Sequence, residues 1–372
     1  MGGDKPPLVL LAAGGTGGHL FPAEALADAL KRRGIEVDLA TDERATRYGR
    51  DFPARETHVI PSATIRGRDP ISMAKTIGLL GLGAMKALRL MNRIRPAAVV
   101  GFGGYPTLPP VLAATLRRIP TVIHDANAVM GRANRMLSAR VTAIATSFTG
   151  MTLDAPLAAK ATFTGNPVRP MVIAAAAEPY PALQDGDPID LLVFGGSQGA
   201  RVMADIVPAA VEKMSPDLRA RLRIVQQARG EDETRVTDSY SRLGVKAEVA
   251  PFFSDLPARI AASHLIVSRS GASTVAELAA IGRPAILVPL PHALDQDQLA
   301  NANVLAKAGG AIVLTQDDFT PERLANEIAG LAADSVKLPA MAAGAKSAGV
   351  LDAADRLADL VLRVANVVPA AR

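Results

Sequence analysis

The chain has 372 residues, of which 49% are hydrophobic and 21% charged, a composition typical of a globular protein large enough for two domains. It contains no cysteine, which excludes disulfides, thiolate metal ligands and cysteine nucleophiles. Residues 1–165 carry 21 basic and 12 acidic side chains, whereas residues 166–372 carry 20 and 24. The basic first half indicates an anionic partner. Aromatic residues make up only 3%, which argues against a nucleic-acid binder that stacks bases.

Short apolar runs alternate with amphipathic segments along the chain, as they do in α/β domains with parallel sheets. We therefore predict doubly wound parallel sheets covered by helices on both faces. The run at residues 8–13 ends in glycines, so we expect no secretion signal there. The predicted strands are residues 8–13, 37–41, 97–102, 121–124, 143–146, 191–194, 223–227, 247–250, 265–268, 285–288 and 311–314.

The segment GNPVRP at residues 165–170 contains a glycine and two prolines and breaks both periodicities, which predicts a domain boundary. We expect an N-terminal domain over residues 1–165 and a C-terminal domain over residues 166–350. A last amphipathic helix begins at residue 351 and no strand follows it. We expect this helix and the tail to residue 372 to pack back toward the N-terminal domain.

Four predicted strands run into glycine-rich turns that precede helices. Such turns let backbone N–H groups approach a phosphate, and the helix behind them adds a positive dipole end. The alternative is close strand-to-helix packing without a ligand. None of the turns continues into the Gly-Lys-Ser/Thr of a Walker loop. The four turns are residues 14–19, 101–104, 195–199 and 268–273.

The fourth turn leads to Ser273 and Thr274, which could cap the next helix, and to Glu277 one turn later. One interpretation of this glutamate is a capping or dipole partner. The other is a carboxylate that accepts hydrogen bonds from both ribose hydroxyls of a nucleotide.

The glycine turns and their neighbours together resemble the MurG family of bacterial transferases. These enzymes add N-acetylglucosamine to the undecaprenyl-pyrophosphoryl-muramyl-pentapeptide precursor of peptidoglycan. The matching segments occur in family order over nearly the whole chain, which makes the resemblance specific. They are GGTGGHLFPA (14–23), GFGGYP (101–106), HDAN (124–127), GNPVR (165–169), GGSQG (195–199) and SRSGASTVAE (268–277).

The resemblance implies a GT-B fold, in which two Rossmann-like domains face a cleft. It implies that UDP-N-acetylglucosamine binds mainly to the C-terminal domain and needs no cofactor. The diphosphate would contact Ser197 and the helix start, the ribose Glu277 and the uracil the main chain near Phe253. The donor residues implied in this way are Thr16, Gly17, Gly18, Asn127, Arg169, Ser197, Phe252, Phe253, Ala272, Ser273, Thr274, Val275, Ala276 and Glu277. Those implied for the acceptor pyrophosphate are Gly14, Gly15, Gly103, Gly104 and Tyr105.

The segment PLPHALDQDQLANAN at residues 289–303 is rich in amides, which suit sugar hydroxyls because they bond without adding charge. The family has a glutamine here that binds the N-acetylglucosamine. Counting back from Asn301 favours Gln298, and Gln296 remains open. Asp295-x-Asp297 also matches a metal motif of another transferase class, but glycine amides and helix starts already provide for a diphosphate. We therefore expect no essential metal.

His19 is the first candidate for the general base that deprotonates the acceptor hydroxyl. A capping role or a hydrogen bond to the acceptor pyrophosphate is the alternative. Asp125 is the rival base, although relatives more often have glutamate at this position. We expect His124 to be structural and His58 and His264 to be ordinary fold histidines.

Residues 71–91 form an apolar segment with basic flanks, and residues 76–85 carry no charge. Ten residues are too few to span a bilayer, which requires about 20. The segment is either a buried helix with a loop or an interfacial element on anionic lipid. The candidate membrane residues are Ile71, Lys75, Ile77, Leu79, Leu80, Leu82, Lys86 and Arg89.

The resemblance implies a peripheral protein on the cytoplasmic face of the bacterial plasma membrane. It implies a role in cell-wall synthesis, and thereby in cell shape and division, possible contacts with other cell-wall synthesis proteins, and no binding of nucleic acid. Two other enzyme classes share the GT-B architecture. They are the UDP-N-acetylglucosamine 2-epimerases and other transferases that act on glycolipids.

Overall fold

The computed structural model describes residues 6–14, 17–43, 52–62, 70–184, 186–196, 199–291, 293 and 296–368, and for residues 70–77 it describes the backbone only. The chain forms two compact units. Unit 1 comprises Met1–Arg169 and Leu351–Arg372, and unit 2 comprises Pro170–Val350. The division follows Arg169 and so falls four residues beyond the boundary expected after residue 165. The Arg169 guanidinium lies 3.9 Å from the ring centroid of Phe21, which also belongs to unit 1.

The strands and helices alternate along the chain. The strands are β1 (Leu8–Ala12), β2 (Glu36–Thr41), β3 (Thr57–Val59), β4 (Ala98–Gly101), β5 (Thr121–Asp125), β6 (Ala143–Thr146), β7 (Ala161–Phe163), β8 (Ile189–Phe194), β9 (Leu222–Gln227), β10 (Lys246–Ala250), β11 (Leu265–Ser268), β12 (Ala285–Leu287) and β13 (Ala311–Val313). The helices are α1 (Gly17–Lys31), α2 (Pro70–Ile94), α3 (Leu108–Leu116), α4 (Arg132–Ser138), α5 (Ala155–Ala158), α6 (Pro170–Ala175), α7 (Arg201–Lys213), α8 (Pro216–Arg221), α9 (Gly230–Leu243), α10 (Leu256–Ala262), α11 (Ala272–Ile281), α12 (Asp297–Lys307), α13 (Pro321–Ala332), α14 (Lys337–Ser347) and α15 (Ala353–Ala365).

Unit 1 is built on a parallel sheet with the strand order β3-β2-β1-β4-β5-β6-β7. The central strand β1 is buried along its whole length because helices cover both faces of the sheet. Val9 and Leu11 point to the core formed with α1 and α15, whereas Leu10 and Ala12 point to the core formed with α2 and α3. The continuous apolar run of β1 is therefore explained by two cores that share one strand.

Helix α15 completes unit 1 although it follows unit 2 in the sequence. Its apolar stripe, which includes Leu357 and Val361, is fully buried against α1 and the sheet. Burial of each such side chain contributes about 2 kcal/mol. Arg32 and Arg33, which directly follow α1, form ion pairs with Asp355, both at 3.2 Å, beside the stripe. The final helix predicted from the sequence therefore closes one face of the first sheet.

Unit 2 repeats the architecture with the strand order β10-β9-β8-β11-β12-β13, again all parallel. Its main core joins Val193 of β8 and Val267 of β11 to side chains of α7, α9 and α13. The 3.6-residue spacing of the apolar positions in these helices directs one face of each toward the sheet.

All eleven strands predicted from the sequence are present, with ends that differ by at most two residues. The sequence prediction missed β3 and β7, which form the two edges of the first sheet. Each has three residues, and β3 buries only the side chain of His58. Strands this short and exposed lack the apolar run on which the prediction depended.

Candidate active site

Each sheet reverses the direction of its strand order once. In unit 1 the reversal lies between β1 and β4, and in unit 2 it lies between β8 and β11. Loops that leave two such strands diverge and open a crevice at the carboxyl ends, which is where doubly wound folds bind ligands. The four glycine turns predicted from the sequence follow these four strands. They therefore form two pairs, one at the ligand-binding position of each unit.

The glycine turns of unit 1 close around the ring of His19, in the first turn of α1. A Cβ atom built on Gly14 or Gly103 would lie 3.5 Å from a ring nitrogen, and one built on Gly104 would lie 3.2 Å from Cε1. Gly103 and Gly104 have φ angles of 86° and 75°, which L side chains rarely adopt. Glycine at these positions thus lets both loop backbones contact the imidazole of a half-buried histidine.

Tyr105 follows directly and begins a short 3-10 turn that ends at Thr107. The hydroxyl of Thr107 donates a hydrogen bond to the carbonyl of Gly104 at 2.8 Å. The loop after β4 is therefore fixed by its own turn as well as by the contact with His19.

Asp125, the rival base, is only 2% exposed at the end of β5. Its carboxylate accepts hydrogen bonds from the backbone N–H of Asn127 at 3.1 Å, from that of Gly131 at 2.8 Å and from the side-chain amide of Asn134 at 3.0 Å. These bonds fold the loop that follows β5 around the carboxylate. The geometry thus gives Asp125 the environment of a residue that organises a loop.

His124 lies beside Asp125 and is completely buried. Its Nε2 lies 3.1 Å from the hydroxyl of Ser147 and 3.3 Å from the carbonyl of Gly165. The Ser147 hydroxyl donates to the carbonyl of Asp125 at 2.7 Å, so Nε2 carries the proton of the histidine. Burial lowers the pKa of His124 to about 4; the Gly165 bond opposes this shift and the nearby His19 adds to it. His124 is therefore neutral at physiological pH.

The sequence prediction overlooked Asn134, which joins these residues. Its side-chain amide donates to the carbonyl of His124 and to the carboxylate of Asp125, both at 3.0 Å. It also lies 3.5 Å from the Cβ position of Gly103, so the amide that bonds to the end of β5 also lies against the loop that follows β4. The signal available was a polar residue on the buried face of α4, beside Ala133 and Leu137.

In unit 2, the helix that follows the fourth glycine turn begins at Ala272. Its cap is Gly271, so Ser273 and Thr274 are not the capping residues considered from the sequence but lie inside the first turn. The Ser273 hydroxyl oxygen is buried without a hydrogen-bond partner among the described residues. Glu277 lies one turn later and is 7% exposed. The helix start therefore combines unpaired N–H groups with an unsatisfied hydroxyl, as expected for an anion site.

Val275 and Ala276 continue this helix, and Val275 is fully buried behind the turn. Arg269 lies inside the same turn and in the matching segment at residues 268–277, but no role for it was predicted from the sequence. Its guanidinium donates to the carbonyls of Val288 and Pro289 at 3.1 and 2.9 Å and to the side chain of Gln316 at 2.6 Å. Burial lowers the pKa of Arg269. The arginine ties the turn to the start of the amide-rich segment.

The same turn is tied to α12. The Ser270 hydroxyl donates to the carbonyl of Gln298 at 2.8 Å, and the side-chain amide of Asn301 donates to the carbonyl of Ser270 at 3.3 Å. The side-chain oxygen of Gln298 accepts from the N–H of Leu290 at 3.0 Å. Gln296 is exposed and has a φ of 53° at the cap of α12. The two candidate glutamines thus differ, because Gln298 is held by the loop and Gln296 is open to solvent.

The loop after β10 contains the two phenylalanines implied for uracil binding. Phe253 is 8% exposed and lies under the guanidinium of Arg259, 4.3 Å from its ring centroid. Phe252 is 65% exposed. Phe253 thus anchors the loop, and Phe252 presents a ring surface to solvent.

Three of the donor residues implied for unit 1, Gly17, Gly18 and Asn127, are described and follow strands β1 and β5 of its sheet. Gly17 and Gly18 form the start of α1, and a Cβ on Gly18 would meet nothing within 4 Å. Asn127 lies in the loop organised by Asp125. Arg169 lies over Phe21, as described above.

Helix α2 contains the candidate membrane segment and is continuous, which differs from the helix with a loop considered from the sequence. Leu79, Leu82 and Met85 are exposed on successive turns, and Leu80 is half-buried. Further residues on the exposed side are basic, namely Lys86, Arg89 and Arg93. No helix within the described part of the chain is long and apolar enough to cross a membrane.

One group of potential metal ligands is present among the described residues, away from the glycine turns. Asp38, Glu56 and His58 hold ligand atoms within 4.8 Å of one another. Arg55 donates two hydrogen bonds to Asp38, and Arg93 donates one to Glu56. Burial raises the pKa of Asp38, but the hydrogen bonds from Arg55 and His58 outweigh it and lower the pKa below its usual value. The guanidinium groups occupy the oxygens that a metal would need, so the group is an ion-pair network.

Several predicted residues fall outside the described part of the chain, and they are not placed in the site. Asp297 of the suspected metal motif is described, and its carboxylate accepts a hydrogen bond from the N–H of Gln298 at 2.8 Å. The residues that lie outside are Gly15, Thr16, Ser197, His292 and Asp295, together with the side chains of Ile71, Lys75 and Ile77.

Comparisons with known proteins agree with this architecture. The glycosyltransferase family 28 N-terminal domain matches residues 9–146, and the glycosyltransferase family 28 C-terminal domain matches residues 190–357. A UDP-N-acetylglucosamine–N-acetylmuramyl-(pentapeptide) pyrophosphoryl-undecaprenol N-acetylglucosamine transferase of Rhodopseudomonas palustris is 64% identical over 365 residues, covering 98% of each chain.

Among solved structures, MurG of Acinetobacter baumannii has a TM-score of 0.78 at 29% identity and covers 96% of this chain and 100% of its own. A UDP-GlcNAc 2-epimerase from Neisseria meningitidis bound to UDP-GlcNAc has a TM-score of 0.67 at 14% identity, with coverage of 96% and 100%. The epimerase shares the fold alone. The predicted GT-B fold with two Rossmann-like domains is confirmed, and the chain belongs to the MurG family of glycosyltransferases.

Proposed function

We propose that this chain transfers N-acetylglucosamine from UDP-N-acetylglucosamine to the 4-hydroxyl of the muramyl sugar in undecaprenyl-pyrophosphoryl-MurNAc-pentapeptide, which converts lipid I into lipid II. The observation that carries the proposal is the 64% identity, over 98% of both chains, to a relative named for this transferase. Two ligand-binding switch points, one per unit, support it because the reaction needs a site for each of two substrates.

The donor is proposed to bind unit 2. The diphosphate would accept hydrogen bonds from the backbone at Ala272–Thr274 and from the unsatisfied Ser273 hydroxyl, and the helix dipole would favour its charge. The Glu277 carboxylate would accept hydrogen bonds from the ribose hydroxyls, and the exposed ring of Phe252 would lie near uracil. Further donor contacts are proposed for Thr16, Gly17, Gly18, Asn127, Arg169, Ser197, Phe253, Val275, Ala276 and Asn301.

Of the two glutamines, we propose Gln298 as the sugar ligand. Its side-chain oxygen is fixed by the N–H of Leu290, which leaves the amide N–H₂ to donate to a sugar hydroxyl. Because the Gln298 side chain is already oriented, it loses less conformational entropy when the sugar binds than the exposed side chain of Gln296 would.

The acceptor is proposed to bind unit 1, with its pyrophosphate near the glycine turns at Gly14, Gly15, Gly103, Gly104 and Tyr105. The 4-hydroxyl oxygen attacks the anomeric carbon as the bond to UDP breaks, so the configuration at that carbon inverts. The hydroxyl proton passes to the base, and UDP leaves with the electron pair. The α11 start is proposed to stabilise the charge that develops on the departing diphosphate.

We propose His19 as the base and Asp125 as a residue that positions the loop after β5. The backbone at Gly14, Gly103 and Gly104 lies close to the His19 ring, and the histidine is only half-buried. The Asp125 carboxylate already accepts three hydrogen bonds and is 2% exposed. Protonating it would weaken all three bonds, so it is poorly suited to take a proton in each cycle.

We further propose that no metal ion is needed, because the helix start and glycine amides of unit 2 provide the diphosphate site. Full dependence of turnover on added magnesium or manganese after treatment with a chelator would contradict this. Undiminished turnover in the chelator is the expected result.

A lipid-linked acceptor requires the enzyme to reach the membrane, and we propose that α2 provides the contact as a peripheral element on the cytoplasmic face. Leu79, Leu82 and Met85 would enter the interface, and Lys86 and Arg89 would meet anionic headgroups. We also propose contacts with other cell-wall synthesis proteins, but we assign no surface of the chain to them.

Mass spectrometry of the products tests the reaction. The protein is incubated with UDP-N-acetylglucosamine, with and without the lipid-linked muramyl-pentapeptide. We expect a disaccharide lipid product and UDP release only when the acceptor is present. Release of UDP without acceptor, together with a 2-epimer of the sugar, would instead indicate an epimerase; a product formed only on another glycolipid would change the acceptor.

A further inference from the structure

We infer that Gln227 is a positioning residue. It holds the loop after β8, which is proposed to bind phosphate, at a fixed separation from the loop after β10, which is proposed to bind the base. This inference rests on the proposed nucleotide site. No motif in the sequence marks Gln227, and it belongs to none of the glycine turns. Its position is the last residue of β9, between β8 and β10 in the sheet.

The side chain of Gln227 joins two loops that leave neighbouring strands. Its oxygen accepts a hydrogen bond from the N–H of Gly195 at 3.0 Å, and its nitrogen donates to the carbonyl of Pro251 at 3.1 Å. Gly195 opens the glycine turn after β8, and Pro251 directly precedes Phe252. The side chain is 6% exposed, so water does not readily replace either bond.

The bridge continues the sheet beyond its last regular pair. The N–H of Ala228 bonds to the carbonyl of Ala250 at 3.1 Å, and the next carbonyl along that chain, of Pro251, is bonded by the glutamine side chain. At the other end there is no room for a side chain on Gly195, because a Cβ there would clash with the backbone nitrogen of Ala200. The amide therefore transmits the position of a tightly packed turn to the loop that carries Phe252.

Only a side chain with both an acceptor and a donor can make this bridge. Glutamate offers acceptors, lysine and arginine offer donors, and methionine offers neither at useful strength. In the proposed site a nucleoside diphosphate would span the two loops, because its phosphates would contact the turn after β8 as well as the start of α11, and its base would lie at the Phe252 loop. The bridge should therefore affect which base is accepted as well as how tightly the nucleotide binds.

Gln226 provides a matched control on the same strand. It is fully buried and also makes two side-chain bonds, donating to the carbonyl of Met203 and accepting from the hydroxyl of Tyr240. Its partners belong to α7 and α9, and neither of them is Gly195 or Pro251. Replacing Gln226 disturbs packing and hydrogen bonds of the same kind without touching the bridge.

The test measures UDP and CDP binding by calorimetry, and thermal unfolding, for wild type, Gln227→Met, Gln227→Glu and Gln226→Met. For Gln227→Met we expect the UDP Kd to rise about tenfold, which corresponds to one or two lost hydrogen bonds. The ratio of the CDP Kd to the UDP Kd should fall about fivefold or more, as discrimination between the bases is lost. Gln227→Glu keeps the acceptor for Gly195 but loses the donor to Pro251, so the ratio should fall there too. Gln226→Met should lower the melting temperature and leave the ratio unchanged.

Equal weakening of UDP and CDP in both Gln227 variants would overturn the inference, and so would a ratio no different from that of Gln226→Met. If Gln227→Met does not fold, the ratio in Gln227→Glu decides by the same criterion. Failure of the wild type to bind UDP is a different result, because it overturns the nucleotide site itself. The two failures are therefore distinguishable.

Discussion

The two units have the same sheet topology at their switch points, yet the side chains that line these points differ. In unit 1 the glycine turns surround an imidazole, and behind it lies a buried network of His124, Asp125 and Asn134. In unit 2 the corresponding turns lead to a helix start with an unsatisfied hydroxyl at Ser273, held from behind by Arg269. Under the proposed function, one backbone plan would therefore serve two tasks, proton transfer in unit 1 and anion binding in unit 2.

The largest expected effect comes from removing the imidazole. His19→Ala should lower turnover at saturating substrates by about 100-fold or more, which is the usual contribution of general-base catalysis. Asp125→Asn is the matched comparison, since it removes a charge from the same unit. We expect it to lower thermal stability and to reduce turnover less than His19→Ala. A loss below about tenfold for His19→Ala, with complete loss for Asp125→Asn, would reverse the two roles.

The buried network of unit 1 predicts a dependence of stability on pH. Burial lowers the pKa of His124 to about 4 in the folded protein, against 6.5 for an ordinary histidine, so the unfolded chain binds the proton more readily. The stability that a neutral His124 provides is complete above pH 6.5 and is lost as the pH falls toward 4, by about 3 kcal/mol.

Chemical unfolding of wild type and His124→Gln at several pH values tests this. Glutamine retains a donor for the Gly165 carbonyl but does not titrate. The difference in stability between the two proteins should move in favour of the variant as the pH falls from 6.5 to 4. A constant difference in stability across that range would contradict the lowered pKa of His124.

The sequence predicted the two sheets and the four glycine turns because both depend on local pattern. Buried parallel strands are continuous apolar runs, and the turns follow them directly. The edge strand Thr57–Val59 was missed because it has too few residues to show a pattern.

The side chains behind the turns were less predictable. Asn134, Arg269 and Gln227 act through partners on other elements, such as Gln316 for Arg269 and Pro251 for Gln227. Nothing in the spacing of the sequence indicates these pairings. For the same reason the role of Asp125 was left open, since a carboxylate next to a cleft and one that folds a loop look identical in sequence.

A smaller effect on turnover is expected from Gly104→Ala, which crowds His19 and also strains the backbone. In Gly104→Ala the new methyl group meets His19 at 3.2 Å and the residue must keep a φ of 75°. We expect a stability loss of about 1–2 kcal/mol and a reduction in turnover of about tenfold, because the base is displaced.

Gly150→Ala is the control for Gly104→Ala. Gly150 also has a positive φ, of 83°, but a Cβ there meets nothing within 4 Å. It should lose stability without the loss of turnover. Similar turnover in the two variants would mean that the close contact with His19 has no catalytic role.

The smallest effect concerns the basic surface of α2. Lys86→Gln and Arg89→Gln should each weaken binding to vesicles that contain anionic lipid by about 1 kcal/mol at low salt. Flotation with anionic and neutral vesicles measures this, and Lys337→Gln on unit 2 serves as a control for the loss of an exposed positive charge. Binding that is indifferent to salt and to both α2 substitutions would remove the electrostatic part of the proposal.

The division of tasks between the units is tested most directly by the affinity of His19→Ala for UDP. Calorimetry should give a Kd within about twofold of wild type although turnover has fallen, because the nucleotide site lies on unit 2. Ser273→Ala, measured in parallel, should weaken UDP binding. A tenfold or greater rise in the UDP Kd of His19→Ala, with no change for Ser273→Ala, would place nucleotide binding on unit 1 and contradict the account.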